Sequence, residues 1–112
     1  ALASSTLSKQ FFDATRELTW PSFLPGNRPD IVVAGCEAHV CVLQTVMGLR
    51  AKGFAVRLVR DAVGARTEES RDAAIHRAER HGAELVTTEM VVFEWLATAQ
   101  HPKFKNALRL VK

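Results

Sequence analysis

The sequence predicts an α/β domain, an open parallel sheet with helices on both faces. Three observations carry this. Hydrophobic period changes several times along the chain, alternating between strand-like and helix-like stretches. The run Asp30-Ile-Val-Val-Ala-Gly35 is continuously apolar and β-branched, without the alternation of a half-exposed strand, as suits a strand buried on both faces of a parallel sheet. Gly53 and Gly82 each end a helical stretch and are followed by another strand-like run, the rhythm of strand–helix–strand units.

In chain order, Ser4 to Gln10 is a candidate short strand ending near Lys9. Asp13 to Arg28, with Pro21, Pro25 and Gly26, reads as loop with one helical turn. The strand Asp30 to Gly35 follows, then a helix from His39 to Lys52. That helix carries two adjoining apolar stripes, Val42–Val46–Leu49 and Val40–Leu43–Met47, so it must pack closely on the sheet. Gly53 stops it. Phe54 to Val59 is the next strand, with Asp61 at its carboxyl end. Thr67 is the N-cap of a helix that runs to about His81, and Glu68 and Glu69 sit in its first turn where the dipole favours them. Glu84 to Thr87 is a short strand, and Thr88 to Ala99 a helix with Val92, Trp95, Leu96 and Ala99 at helical spacing. A last helix starts near Pro102 and carries Phe104, Leu108 and Val111.

The 112 residues suffice for one domain, 1–112, and not for two. Three clear strands and one weak one make a narrow sheet, because doubly wound sheets usually have about five or six. The chain therefore looks as if its first strands are missing. Fifteen Lys and Arg against twelve Asp and Glu, with no run of like charges, describe a solvated surface rather than a nucleic-acid footprint. The longest apolar runs, Ile31 to Ala34 and Met90 to Phe93, fall far short of a membrane span. Ala1 to Ser5 has neither the basic nor the apolar segment of a signal peptide. Two cysteines do not make a disulfide framework, and a reducing, cytoplasmic setting is the simplest reading. A nucleotide-binding half fails for want of a glycine-rich turn after any strand.

The segment Gly35-Cys-Glu-Ala-His-Val-Cys41 lies where a buried strand ends and a helix begins, the place where open α/β sheets bind ligands. A cysteine in the first turn of a helix has its thiolate stabilised by the dipole and by free N–H groups, which could also hold an oxyanion. Cys41 is thus either a nucleophile or a small buried apolar residue. Cys36 reads as core packing. Glu37 and His39 are loop neighbours of Cys41 or merely solvated side chains, while His76, His81 and His101 look like surface residues. Lys9 precedes the pair Phe11–Phe12 and by itself reads as exposed; Asp61 caps a turn or does chemistry. Cys36, His39 and Cys41 fit no common zinc spacing, so neither metal nor cofactor is expected.

With these residues in view, the chain resembles the isochorismatase-like cysteine hydrolases, in particular their isochorismatase-domain-containing subgroup. The resemblance rests on VVAGCEAHVCVLQT at Val32–Thr45, then Gly53, VRDA at Val59–Ala62, Arg66, GAELVTTE at Gly82–Glu89 and HPKFK at His101–Lys105. It runs from about Ser8 to the end. It implies a three-layer αβα, Rossmann-like fold, incomplete at the N-terminus. It implies catalysis by a Cys, a Lys and an Asp, of which Cys41 and Lys9 are present, with the lysine favouring the thiolate. It also implies a cis peptide between Cys36 and Glu37, with the backbone N–H groups of Glu37 and Cys41 as the oxyanion hole. Phe12 and His39 become candidates for the substrate pocket. The family's aspartate precedes the lysine by more than the eight residues available, so it would come from an absent segment. The expected activity is hydrolysis of a small amide, imide or vinyl-ether substrate by a homo-oligomer. The alternative is a non-catalytic oligomerisation or binding module that keeps the fold.

Overall fold

The structure, a computed structural model, describes residues 5–24 and 28–111. Three parallel strands lie side by side in chain order: β1 (Asp30–Cys36), β2 (Ala55–Gly64) and β3 (Glu84–Val86). Between β1 and β2 runs a wide π-helical turn, Ala38–Val42, continuing as an α-helix over Leu43–Ala51. Preceding β1 is α1 (Trp20–Phe23), so this helix is α2; α3 (Glu68–Arg80), α4 (Thr88–Leu96) and α5 (Phe104–Val111) follow.

Register shows how the layers form. Ile31 pairs with Val56 and Val33 with Leu58, placing these side chains on one face. That face packs on α2 and α3 in a core that includes Val46 and Leu49, both almost fully buried, and Ala74, Ile75 and Ala78. Alternation turns Val59 and Val86 to the other face, where they meet Val91 of α4. Helices therefore flank both faces, and the fold is the αβα arrangement expected, with a sheet of three strands.

Four elements depart from the sequence reading. Residues 5–10 form no strand; the N–H groups of Gln10 and Phe11 donate instead to the Glu17 carboxylate, both at 2.8 Å. Ser4, where that strand was to begin, lies outside the described residues. The loop before β1 contains a 3-10 turn at Ala14–Arg16 besides the single short helix α1. β2 continues five residues past Val59, because the register jumps from Val33–Leu58 to Gly35–Val63 and the extra residues of β2 bulge out between. Gly35 makes the matching bend at φ +120°, which side chains rarely adopt. Finally, α4 stops at Leu96 rather than Ala99 because Ala97 turns left-handed and closes the helix on the Phe93 carbonyl.

Candidate active site

The carboxyl ends of β1 and β2 and the first turn of the nucleophile helix converge at Cys41. Glu37 is extended in the N-cap position, the Cys36–Glu37 peptide is cis, and the N–H groups of Val40 and Val42 both donate to the Glu37 carbonyl. The second of these bonds spans five residues and makes the first turn wide. Cys41 lies in this turn, half-buried, with a free thiol. Cys36 is also free, but it is exposed, not packed in the core as its strand-end position suggested. Among the described residues β1 pairs on one side only, with β2, which leaves its carboxyl end open.

Lys9 reaches this turn from a segment 32 residues away. Its ammonium donates to Cys41 Sγ at 3.4 Å and to the Phe11 carbonyl at 3.2 Å. The loop behind it is held at several points. Besides the two N–H groups taken by Glu17, Arg16 stacks its guanidinium 4.7 Å from the centre of the Phe11 ring. Thr45, one turn along from Cys41, donates its hydroxyl to the Phe12 carbonyl at 3.3 Å and accepts from the Ala14 N–H at 3.1 Å. Asp13 caps the next turn by accepting from the N–H and hydroxyl of buried Thr15 at 2.8 and 2.6 Å. Among the described residues, no carboxylate is bonded to Cys41 or Lys9.

The remaining sequence candidates separate. Phe12 is 55% exposed on the Lys9 loop. His39 turns away into a groove of about 480 Å³ beside Arg16, Gln44, Met47 and Arg77, whose lining includes neither Lys9 nor Cys41. Its Nδ1 is buried there without a partner. Glu37 pairs its carboxylate with Arg66 at 3.2 Å, at the open edge of the turn. Asp61 is a cap: lying in the β2 bulge, it accepts from the N–H and hydroxyl of Thr88 at 2.8 and 2.9 Å, at the start of α4. The Thr88 backbone bond is the main reason its carboxyl is held below the usual carboxylate value. A larger concavity of about 560 Å³, between Trp20, Pro29 and Phe54, lies at the amino ends of the strands, the wrong end of an α/β sheet for chemistry. No three His, Cys, Asp or Glu among the described residues come together as a metal-holding group.

Glu17 acquires a part in the site that its sequence context did not suggest, whereas Thr45, a polar residue one helical turn from Cys41, and Arg66 both lie among the residues that carry the resemblance.

The family model for the isochorismatase domain matches residues 6–90. The chain belongs to the isochorismatase family. Isochorismatase-family proteins are hydrolases. The secreted isochorismatase effector Isc1 of Phytophthora sojae is 38% identical over 86 residues, 77% of this chain and 41% of that protein. Isochorismatase domain-containing protein 1 of Danio rerio is 38% identical over 89 residues, 80% of this chain and 31% of that one. A solved structure named MAR1 ribonuclease, from Caenorhabditis elegans, superposes with a TM-score of 0.80 at 34% identity, over 92% of this chain and 53% of its own. The chain thus spans less than half the length of these curated isochorismatase relatives. No helix among the described residues is long and apolar enough to cross a membrane.

Proposed function

We propose that this chain is the nucleophile-bearing part of a cysteine hydrolase acting on a small amide, imide or vinyl-ether substrate. The observation that carries the reading is the Lys9 ammonium on Cys41 Sγ at 3.4 Å, joining the two family site residues present here across 32 positions. A cation at this distance is a counter-ion for the sulfur anion, the nucleophilic form. With an amide, the sulfur attacks the carbonyl carbon and an S–C bond forms. The oxyanion so created meets the N–H groups of Glu37 and Cys41, whose position in the first turn supports that role. The C–N bond then breaks and the amine leaves with a proton. Water attacks the thioester, the C–S bond breaks, and the acid departs. The proton acceptor in this scheme is an aspartate supplied from outside the present sequence. Phe12, exposed beside Lys9, is the pocket candidate the geometry favours over His39.

We place the protein in a reducing compartment such as the cytoplasm, where a free thiol persists, although one relative is named a secreted effector. Residues 1–112 are taken as part of one domain, and a homo-oligomer is supported by large apolar side chains left exposed on α4 and α5, Trp95 at 72% and Leu110 at 85%.

The test compares the complete protein with its Cys41→Ala variant on a panel of small amides, cyclic imides and enol ethers, with product followed by mass spectrometry. Turnover should fall at least about 10³-fold, with an acyl adduct on Cys41 trapped only in the wild type. Full turnover by Cys41→Ala would sink the mechanism. An RNA oligonucleotide belongs in the panel because one structural relative is named a ribonuclease. Turnover of nothing in the panel, by a protein that still forms oligomers, would favour the non-catalytic module.

A further inference from the structure

Lys9 stands on a loop without regular structure, yet its ammonium must be held to a few tenths of an ångström to serve a thiolate. A lysine side chain has four rotatable bonds, so its own packing cannot do this. The structure shows what does. The Glu17 carboxylate, half-buried, takes the N–H groups of both Gln10 and Phe11 on one oxygen, Oε2, each at 2.8 Å. These are charge-assisted bonds, about twice the strength of neutral ones. With the Phe11 N–H held by Glu17 on one side and the Phe12 carbonyl held by Thr45 on the other, the Phe11 carbonyl between them is fixed, and that carbonyl is the second acceptor of the Lys9 ammonium, at 3.2 Å. The ammonium is therefore held between an anchored carbonyl and Cys41 Sγ.

We propose that Glu17 is a positioning residue of the site, setting the Lys9 ammonium on Cys41 through the backbone of Phe11. This rests on the Lys9–Cys41 reading given above. Glu17 touches neither sulfur nor substrate, so its action is indirect. Other charged groups around this loop and strand end are Arg16, on the Phe11 ring, Asp13, bonded to Thr15, the Glu37–Arg66 pair, and Asp61, bonded to Thr88.

The experiment needs no substrate. The complete protein is treated with iodoacetamide at pH 7, and alkylation of Cys36 and Cys41 is followed by peptide mass spectrometry. Exposed Cys36 serves as internal reference. Lys9→Met should slow Cys41 about three- to tenfold, because it removes the cation bonded to the sulfur. Glu17→Ala should slow it by about three- to tenfold, and Glu17→Gln, which keeps an acceptor oxygen without the charge, by less. The double variant Lys9→Met/Glu17→Ala should be no slower than Lys9→Met, because Glu17 then has no charge left to position. Cys36 should keep its rate throughout.

If Lys9→Met is slowed while both Glu17 variants react like wild type, the Glu17 assignment is wrong and the Lys9–Cys41 reading survives. If Lys9→Met itself is unchanged, that reading fails and the assignment with it. Cys36 and Cys41 accelerating together in the Glu17 variants would mean a loosened fold, and would equally overturn the positioning role. Should Glu17→Ala not fold, the near-isosteric Glu17→Gln carries the test alone.

Discussion

Replacing Gly48 by alanine sets two effects of opposite sign against each other, and the structure says which wins. Gly48 lies inside α2, where Gly→Ala ordinarily stabilises by about 0.8–1 kcal/mol through helix propensity. Here a Cβ has no room. It would meet Asp13 Oδ1 at 2.6 Å and run into the Thr15 hydroxyl, both belonging to the turn that follows the Lys9 loop. Neither group can simply swing aside, because Asp13 is bonded to the N–H and hydroxyl of Thr15, and Thr15 is only 5% exposed. Overpacking of this kind costs about 1–3 kcal/mol. Subtracting the propensity gain leaves a net loss of roughly 0–2 kcal/mol. Urea unfolding would show it as a midpoint that does not rise and falls by up to about 1 M. Tryptophan fluorescence is a suitable probe, since Trp20 is buried in the core. Because the displaced turn adjoins the Lys9 loop, Cys41 alkylation should slow as well. A Gly48→Ala protein stabilised by the full propensity gain would refute the claim that the Asp13 turn is seated on α2.

Two further outcomes follow from the packing and the caps. Leu49→Ala empties a site only 1% exposed at the centre of the α2 layer and should cost about 2–5 kcal/mol by thermal or urea unfolding. Asp61→Asn weakens the acceptor at the start of α4 and should cost about 0.5–1 kcal/mol at pH 7, the low end for a cap because the residue is exposed. Its carboxyl is held below the ordinary value, so the folded state gains stability from the anion above about pH 4 and loses it as pH falls through the folded value. Urea titrations should therefore show the wild type and Asp61→Asn converging below pH 4; a constant gap down to pH 2 would show that the charge is not what matters.

The alternation of elements was legible because it is local. Continuous apolarity in Asp30–Gly35, the double stripe from Val40 to Leu49 and the glycine stops all act within a few residues, and the structure keeps them. The position of Cys41 at a strand-to-helix turn was legible for the same reason. Boundaries that depended on partners were not. The length of β2 is set by a register jump against β1, and the end of α4 by one left-handed residue, neither of which leaves a periodic trace in the sequence. A candidate strand at Ser4–Gln10 forms, over its described residues, no ladder, and at its end a carboxylate takes the Gln10 N–H.

The site divides along the same line. A cysteine's place in a helix turn is a property of its own segment, so residue types and spacing put Cys41 at a strand-to-helix turn, while its role as nucleophile came only with the family resemblance. The contact between Lys9 and Cys41 spans 32 residues, and nothing in either segment encodes the distance. Only the folded chain brings them together, because the loop carrying Lys9 is held by Glu17 within itself and by Thr45 and Gly48 on α2, through bonds and close contacts that exist once these elements have packed.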